Sequence, residues 1–167
     1  MITTHGGPGV PQPDGFCTAL AVNLTDEESR SLAAILRGSK WRVKNARTCS
    51  EALDLSYKRP VPVVLCEPQM PDGNWDSLME RMREAGDRTA VVVVSRLADE
   101  RLWTEVLSLG GYDVLMTPFD RSEVLRVLFL AWMASKREPA HARSSVRKPP
   151  AEQAAAGTVC RYAASGS

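Results

Sequence analysis

The sequence predicts an α/β domain, a five-stranded parallel sheet with helices on both faces. Two observations carry this. Short apolar runs at 16–22, 41–46, 61–66, 90–94 and 112–116 alternate with segments whose apolar residues recur at helical spacing. The run AVVVV (90–94) is apolar at every position, as a strand covered on both faces must be. Strands that alternate with helices in this way pair in parallel through right-handed crossovers.

FCTALAV (16–22) is the first strand. Thr25, followed three residues later by Glu28, has the pattern of a capping box. It opens a helix through Leu32, Ile35 and Leu36 that ends at Gly38. In WRVKNA (41–46), Trp41, Val43 and Asn45 alternate with Arg42 and Lys44, a half-exposed strand. Thr48 and Glu51 repeat the cap before Leu53, Leu55 and Tyr57. VPVVLC (61–66) is a buried strand, and residues 74–85 carry Trp75, Leu78, Met79 and Met82 at helical spacing up to Gly86. Past AVVVV, residues 99–109 place Leu102, Trp103, Val106 and Leu107 on one helical face and close at Gly110-Gly111. YDVLM (112–116) is the fifth strand. Asp120 with Glu123 caps a last helix holding Val124, Leu125, Leu128, Ala131 and Trp132.

At 167 residues and 44% apolar the chain suits one domain, expected over residues 16–134. Residues 1–15 are rich in Gly and Pro, so a flexible leader is expected there. Residues 135–167 are rich in Ala, Ser, Pro and Arg and hold few large apolar side chains. Burial there cannot offset the entropy of ordering, so a disordered tail is expected. A net charge of +1, with the basic excess falling after Lys136, speaks against a dedicated nucleic-acid binder. The four cysteines show no CxxC spacing and residues 16–134 contain no histidine. Neither a zinc site nor a Ser/His/Asp triad is expected, and no enzyme activity. The N-terminus has no apolar signal region and no run reaches membrane length, which predicts a cytoplasmic protein with no membrane partner.

In parallel α/β sheets, function sits at the C-terminal ends of the strands. Those ends are Asn23-Leu24, Ala46, Glu67, Ser95-Arg96 and Thr117-Pro118. The third is the most suggestive: in VVLCEPQMPDGNW (63–75) a buried strand delivers one carboxylate, Glu67, to a loop of Pro68, Pro71, Asp72 and Gly73.

Three of these segments, LCEPQMPDG after the third strand, VVVVS ending the fourth and MTPF after the fifth, together resemble the receiver domain of two-component response regulators. The likeness covers roughly residues 16–134 and implies the (βα)5 flavodoxin-like receiver fold. It also implies a chemistry, transfer of a phosphoryl group from a histidine kinase to an aspartate with Mg²⁺. On that likeness Glu67 takes the phosphoacceptor position, and Asn23 and Leu24 take the acid pair that holds the metal. Ser95 keeps the switch hydroxyl, Val114 stands at the switch aromatic, and Thr117 stands at the invariant lysine. Glutamate reaches about 1.5 Å further than aspartate, and an amide with a hydrocarbon makes a poor Mg²⁺ shell.

The resemblance therefore implies a degenerate pseudo-receiver, without phosphorylation of the usual kind and without a Mg²⁺ cofactor, acting by protein contacts. Its partner would be a histidine kinase, another regulator or a second copy of itself. Glu67 is then a permanent partial mimic of the phosphorylated state, an inert strand-end residue, or an acceptor still in use. The matching whole-protein alternatives are a phosphoacceptor receiver and a static adaptor. The family's partner face, built from the fourth helix, fifth strand and fifth helix, would include Trp103, Tyr112 and Arg121. Tryptophans at helical spacing are more often core.

Overall fold

The computed structural model describes residues 15–137. The chain runs β1 (Cys17–Val22), α1 (Asp26–Leu36), β2 (Trp41–Ala46), α2 (Cys49–Lys58), β3 (Val63–Cys66), β4 (Gln69–Met70) and β5 (Gly73–Asn74). It continues α3 (Trp75–Glu84), β6 (Ala90–Ser95), α4 (Glu100–Leu109), β7 (Asp113–Met116) and α5 (Arg121–Lys136). The five long strands form one parallel sheet in the order β2-β1-β3-β6-β7. The chain starts at β1, moves outward to β2, then crosses back to β3 and runs to the other edge. The order therefore reverses between β1 and β3, where sheets of this kind open a crevice. Val22 and Cys66 are register partners at the ends of the adjacent strands β1 and β3, which sets Asn23 and Glu67 side by side at that edge.

The alternation of side chains on each strand divides the core into two layers. Leu20, Val22, Val64, Cys66, Val91 and Val93 point toward α2, α3 and α4, where they meet Leu53, Leu78, Met82, Trp103 and Val106. Ala19, Ala21, Val63, Leu65, Val92 and Val94 point the other way, toward Leu32 and Leu36 of α1 and Val124, Leu128 and Ala131 of α5. β3, and β6 up to Ser95, are apolar throughout and lie inside the sheet because both of their faces are buried.

Most helix starts follow the local signals. Thr25 and Glu28 close both bonds of a capping box, and Asp120 accepts from the Glu123 N–H. The second expected box forms only in half. Thr48 accepts from the Glu51 N–H, but the Glu51 carboxylate accepts instead from Arg47 N–H at 2.8 Å. Asp99 is the cap of α4 and not its first turn. At the end of α4, Gly110 adopts φ 96°, a left-handed turn that frees glycine of the Cβ clash other residues would meet. Gly111 is needed for space, since a Cβ there would lie 2.5 Å from Val106 Cγ1 and 3.0 Å from Trp75 Cζ3.

Two features differ from the expected layout. The β4–β5 hairpin between β3 and α3 was not anticipated, because two-residue strands are too short to show periodicity. Helix α5 runs to Lys136, two residues past the expected boundary at 134. The remainder of the expected leader and tail lies outside the described residues. Among the described residues no helix is long and apolar enough to cross a membrane.

Candidate functional site

The C-terminal ends of β1, β3, β6 and β7 converge on one edge of the sheet. Asn23 leaves β1 with φ 59°, a left-handed conformation that asparagine tolerates better than most residues. Its backbone N–H donates to Ala46 O at 2.8 Å, which holds it in that turn. From there its side-chain Nδ2 donates to Glu67 Oε2 at 3.0 Å and to Gln69 O at 3.2 Å. The Glu67 N–H in turn donates to Val22 O at 3.4 Å. Glu67 is therefore a half-buried carboxylate tied to β1 through an amide.

The electrostatics around it are mixed. Burial pushes the Glu67 carboxyl up from its ordinary value, and the like charge of Glu28 pushes the same way. The Arg96 guanidinium and the Asn23 hydrogen bond oppose that push. Glu28 is itself buried on the first turn of α1. Its Oε2 accepts from Thr25 N–H at 3.0 Å and from Thr25 Oγ1 at 2.9 Å, while Oε1 lies 3.8 Å from Arg96 Nε.

The remaining predicted residues divide between the site edge and the core. Ser95 Oγ accepts from Leu97 N–H at 3.1 Å, so its hydroxyl serves its own turn. Thr117 is buried, donates its N–H to Ser95 O at 3.2 Å and precedes a cis bond to Pro118. Its Oγ1 is buried with no hydrogen-bond partner among the described residues. Leu24 packs against the α1–α5 layer and Val114 is buried in the α2–α4 layer, so both positions contribute packing.

The expected partner face needs correction at Trp103. It is 4% exposed, in contact with the α2–α4 core, because α4 turns that side of its apolar stripe inward. Tyr112 is half-buried against the α1–α5 layer. Arg121 is exposed and donates from Nη1 to Ile35 O at 3.0 Å, bridging the start of α5 to the end of α1. Among the described residues, the large apolar side chains left exposed are Leu97, Met116, Leu109, Phe129 and Tyr57.

Two residues near Glu67 make contacts that the sequence reading did not foresee. Glu28 was legible as a cap, but its buried place beside Arg96 was not. Asp72 reads as a turn residue, yet it accepts from Cys49 N–H at 2.7 Å and Ser50 N–H at 2.9 Å. The Glu67 loop is thereby clamped onto the N-terminus of α2. Those two backbone N–H bonds hold the Asp72 carboxyl down to about 2.

Comparison with known proteins follows the same lines. The family model "Response regulator receiver domain" matches residues 25–129. That span begins just after Asn23-Leu24. The chain is similar to the hydrogenase transcriptional regulatory protein HoxA of Cupriavidus necator, 29% identical over 101 residues. The match covers 59% of this chain but only 21% of that relative. Among solved structures it is similar to a response regulator of Chloroflexus aurantiacus, at 22% identity and TM-score 0.64, covering 71% of this chain and 98% of that one. The chemotaxis response regulator CheY4 of Vibrio cholerae is 19% identical with TM-score 0.61, covering 70% of this chain and 98% of that one. The non-phosphorylated HemR receiver domain of Leptospira biflexa is 24% identical with TM-score 0.58, covering 75% and 99%. At these identities the structural likeness bears on fold alone.

Proposed function

The chain belongs to the response regulator receiver domain family, and on that premise we propose that it signals as a protein-binding module without accepting a phosphoryl group. The observation that carries this reading is the Asn23–Glu67 hydrogen bond at 3.0 Å. Where the family sets anionic metal ligands beside its acceptor, this chain sets a donor. The amide presents its N–H to Glu67 and to Gln69 O, and the half-buried Leu24 packs against the α1–α5 layer.

Mg²⁺ demands a near-octahedral shell of hard oxygen ligands. These residues do not fit it: the Asn23 nitrogen faces the crevice, and Glu28 is engaged by Thr25 and Arg96. No cationic side chain replaces the family's lysine at Thr117. Phosphoryl transfer relies on positioning and charge stabilisation, and here one Glu67 oxygen accepts from Asn23 while an uncharged threonine stands where the family has its lysine.

Glu67 instead contributes a fixed carboxylate, where phosphorylation adds about −1.5 to −2 charge and three acceptor oxygens. Such a group biases a two-state fold only by the difference in its interactions with the two states. Its one hydrogen bond to β1 favours the conformation in which β1 and β3 stay joined at this edge. The exposed Leu97 after β6 and Met116 at the end of β7 give partners an apolar contact next to the site. The partner class is protein (a kinase, another regulator or a second copy), in the cytoplasm, with no catalysis by this chain.

The test compares backbone amide NMR of the wild type and Glu67→Gln, with intact mass after incubation with a small phosphodonor and Mg²⁺. We expect no phosphate adduct, and shifts spreading from Asn23 and Gln69 to residues 95–119. An adduct on Glu67 would sink the unphosphorylated reading. Shifts confined to the Glu67 loop would make the protein a static adaptor.

A further inference from the structure

Among the described residues, β2 lies at the edge of the parallel sheet and pairs with β1 alone. The carbonyls of Lys40 and Ala46 accept from the N–H groups of Cys17 and Asn23, both at 2.8 Å. Even-numbered residues of this segment therefore turn their backbone groups toward β1. The alternation of a strand then turns the N–H and C=O of Val43 and Asn45 to the open side. The Trp41 N–H, which points the same way, donates to Ser39 Oγ at 3.1 Å. Side chains alternate too, between the two faces of the sheet. Arg42 and Lys44 are exposed on the face of Ala46, whereas Trp41 and Val43 are half-buried against the α1–α5 layer. The Arg42 guanidinium stands over the Phe16 ring, 4.1 Å from its centre. Arg37 and Lys40 precede the strand and Arg47 follows it. All three are exposed, and residues 37–50 contain no acid.

We infer that the open edge of β2 docks an extended acidic segment of a partner protein, which joins the sheet as a further strand. Its backbone bonds Val43 and Asn45, and acids at alternate positions meet Arg42 and Lys44. The apolar positions between them cover Trp41 and Val43. Cations along an edge keep copies of the same strand apart, since like charges would stand opposite each other. The same row of cations favours an acidic strand, so it selects the partner as well as excluding the copy. A nucleic acid suits this edge less well. Its phosphates accept hydrogen bonds and donate none, whereas the edge offers both donors and acceptors. Residues 16–134 also carry 15 basic and 17 acidic side chains, not the overall positive field that draws in a polyanion. The surface lies at the opposite edge of the sheet from β7, and it stands apart from the unphosphorylated reading of Glu67.

The experiment titrates the full chain with a short capped peptide that alternates glutamate with valine, followed by backbone amide NMR. A peptide with lysine in place of each glutamate and a thymidine oligonucleotide serve as comparisons. We expect the acidic peptide to shift the amides of residues 41–45 and to slow hydrogen exchange at Val43 and Asn45. Residues 95–119 stay unmoved, and added salt weakens the binding. The double substitution Arg42→Glu with Lys44→Glu weakens the acidic peptide about tenfold and confers binding of the lysine peptide. That gain cannot come from unfolding. The inference is overturned if the acidic peptide leaves residues 41–45 unmoved, or if the lysine peptide binds the wild type equally well. Tighter binding of the oligonucleotide at the same residues would overturn it too, in favour of a nucleic-acid surface. None of these outcomes bears on whether Glu67 accepts a phosphoryl group.

Discussion

Replacing Asn23 by aspartate puts the geometry of the site to its sharpest test. The substitution keeps the size of the side chain and a residue type that accepts the left-handed backbone at φ 59°. It exchanges a donor 3.0 Å from Glu67 Oε2 for a second carboxylate. A hydrogen bond to a charged group contributes about 1.5–3 kcal/mol when well buried. Glu67 is only half-buried, and solvent screening brings that to about 1 kcal/mol. Two like charges about 4 Å apart add about 1 kcal/mol of repulsion even in a water-like dielectric. The variant should therefore lose about 2 kcal/mol near neutral pH, the sum of these two effects.

Acid should recover part of that loss, because one proton shared between the two carboxyls restores a hydrogen bond and removes the repulsion. Mg²⁺ should recover part as well, since the pair of acids now resembles a metal site. At ten times the dissociation constant, binding to the folded state alone adds about 1.4 kcal/mol. The assay is urea unfolding followed by the fluorescence of buried Trp75 and Trp103, at about pH 8 and about pH 5, with and without Mg²⁺. An Asn23→Asp protein as stable as wild type at both pH values and indifferent to Mg²⁺ would refute the reasoning. The Asn23–Glu67 contact would then be a coincidence of two solvated side chains.

Two further outcomes concern the frame that holds the site. The Asp72 carboxyl is lowered from 3.8 to about 2, so the folded state binds fewer protons than the unfolded chain between those values. Its contribution is present above 3.8 and is lost as pH falls through about 2; Asp72→Asn should flatten the acid limb of melting temperature against pH there, and parallel limbs would show that the clamp on α2 adds nothing. Gly111→Ala forces a Cβ to within 2.5 Å of Val106 Cγ1 and 3.0 Å of the Val106 carbonyl oxygen. Overpacking of this kind costs about 1–3 kcal/mol, and an unchanged urea midpoint would mean that the end of α4 yields freely.

The order of strands and helices was legible along the chain because periodicity, caps and glycine stops are local signals. Thr25 with Glu28, and the apolar runs 63–66 and 90–94, state their structure within a few residues. The placement of Asn23, Leu24, Glu67 and Thr117 at strand ends, and of Val114 within the fifth strand, was equally readable from the apolar runs; their correspondence to the family's site is what the resemblance implies. The two-residue hairpin β4–β5 was too short to leave a period. Trp103 was set on the partner face although its spacing favoured a core, and it is buried, because helical spacing reveals a stripe without saying what covers it.

The site's interactions were decided by the tertiary fold. The Asn23–Glu67 bond joins positions 44 apart, and the Asp72 clamp on Cys49 spans 23. Arg96 meets Glu28 through the neighbouring ends of different strands and a helix. Local sequence chose which side chains stand at each strand end. The β2-β1-β3-β6-β7 order chose which of those ends are neighbours, because hydrogen-bonded strands and right-handed crossovers bring together residues that no sequence window contains.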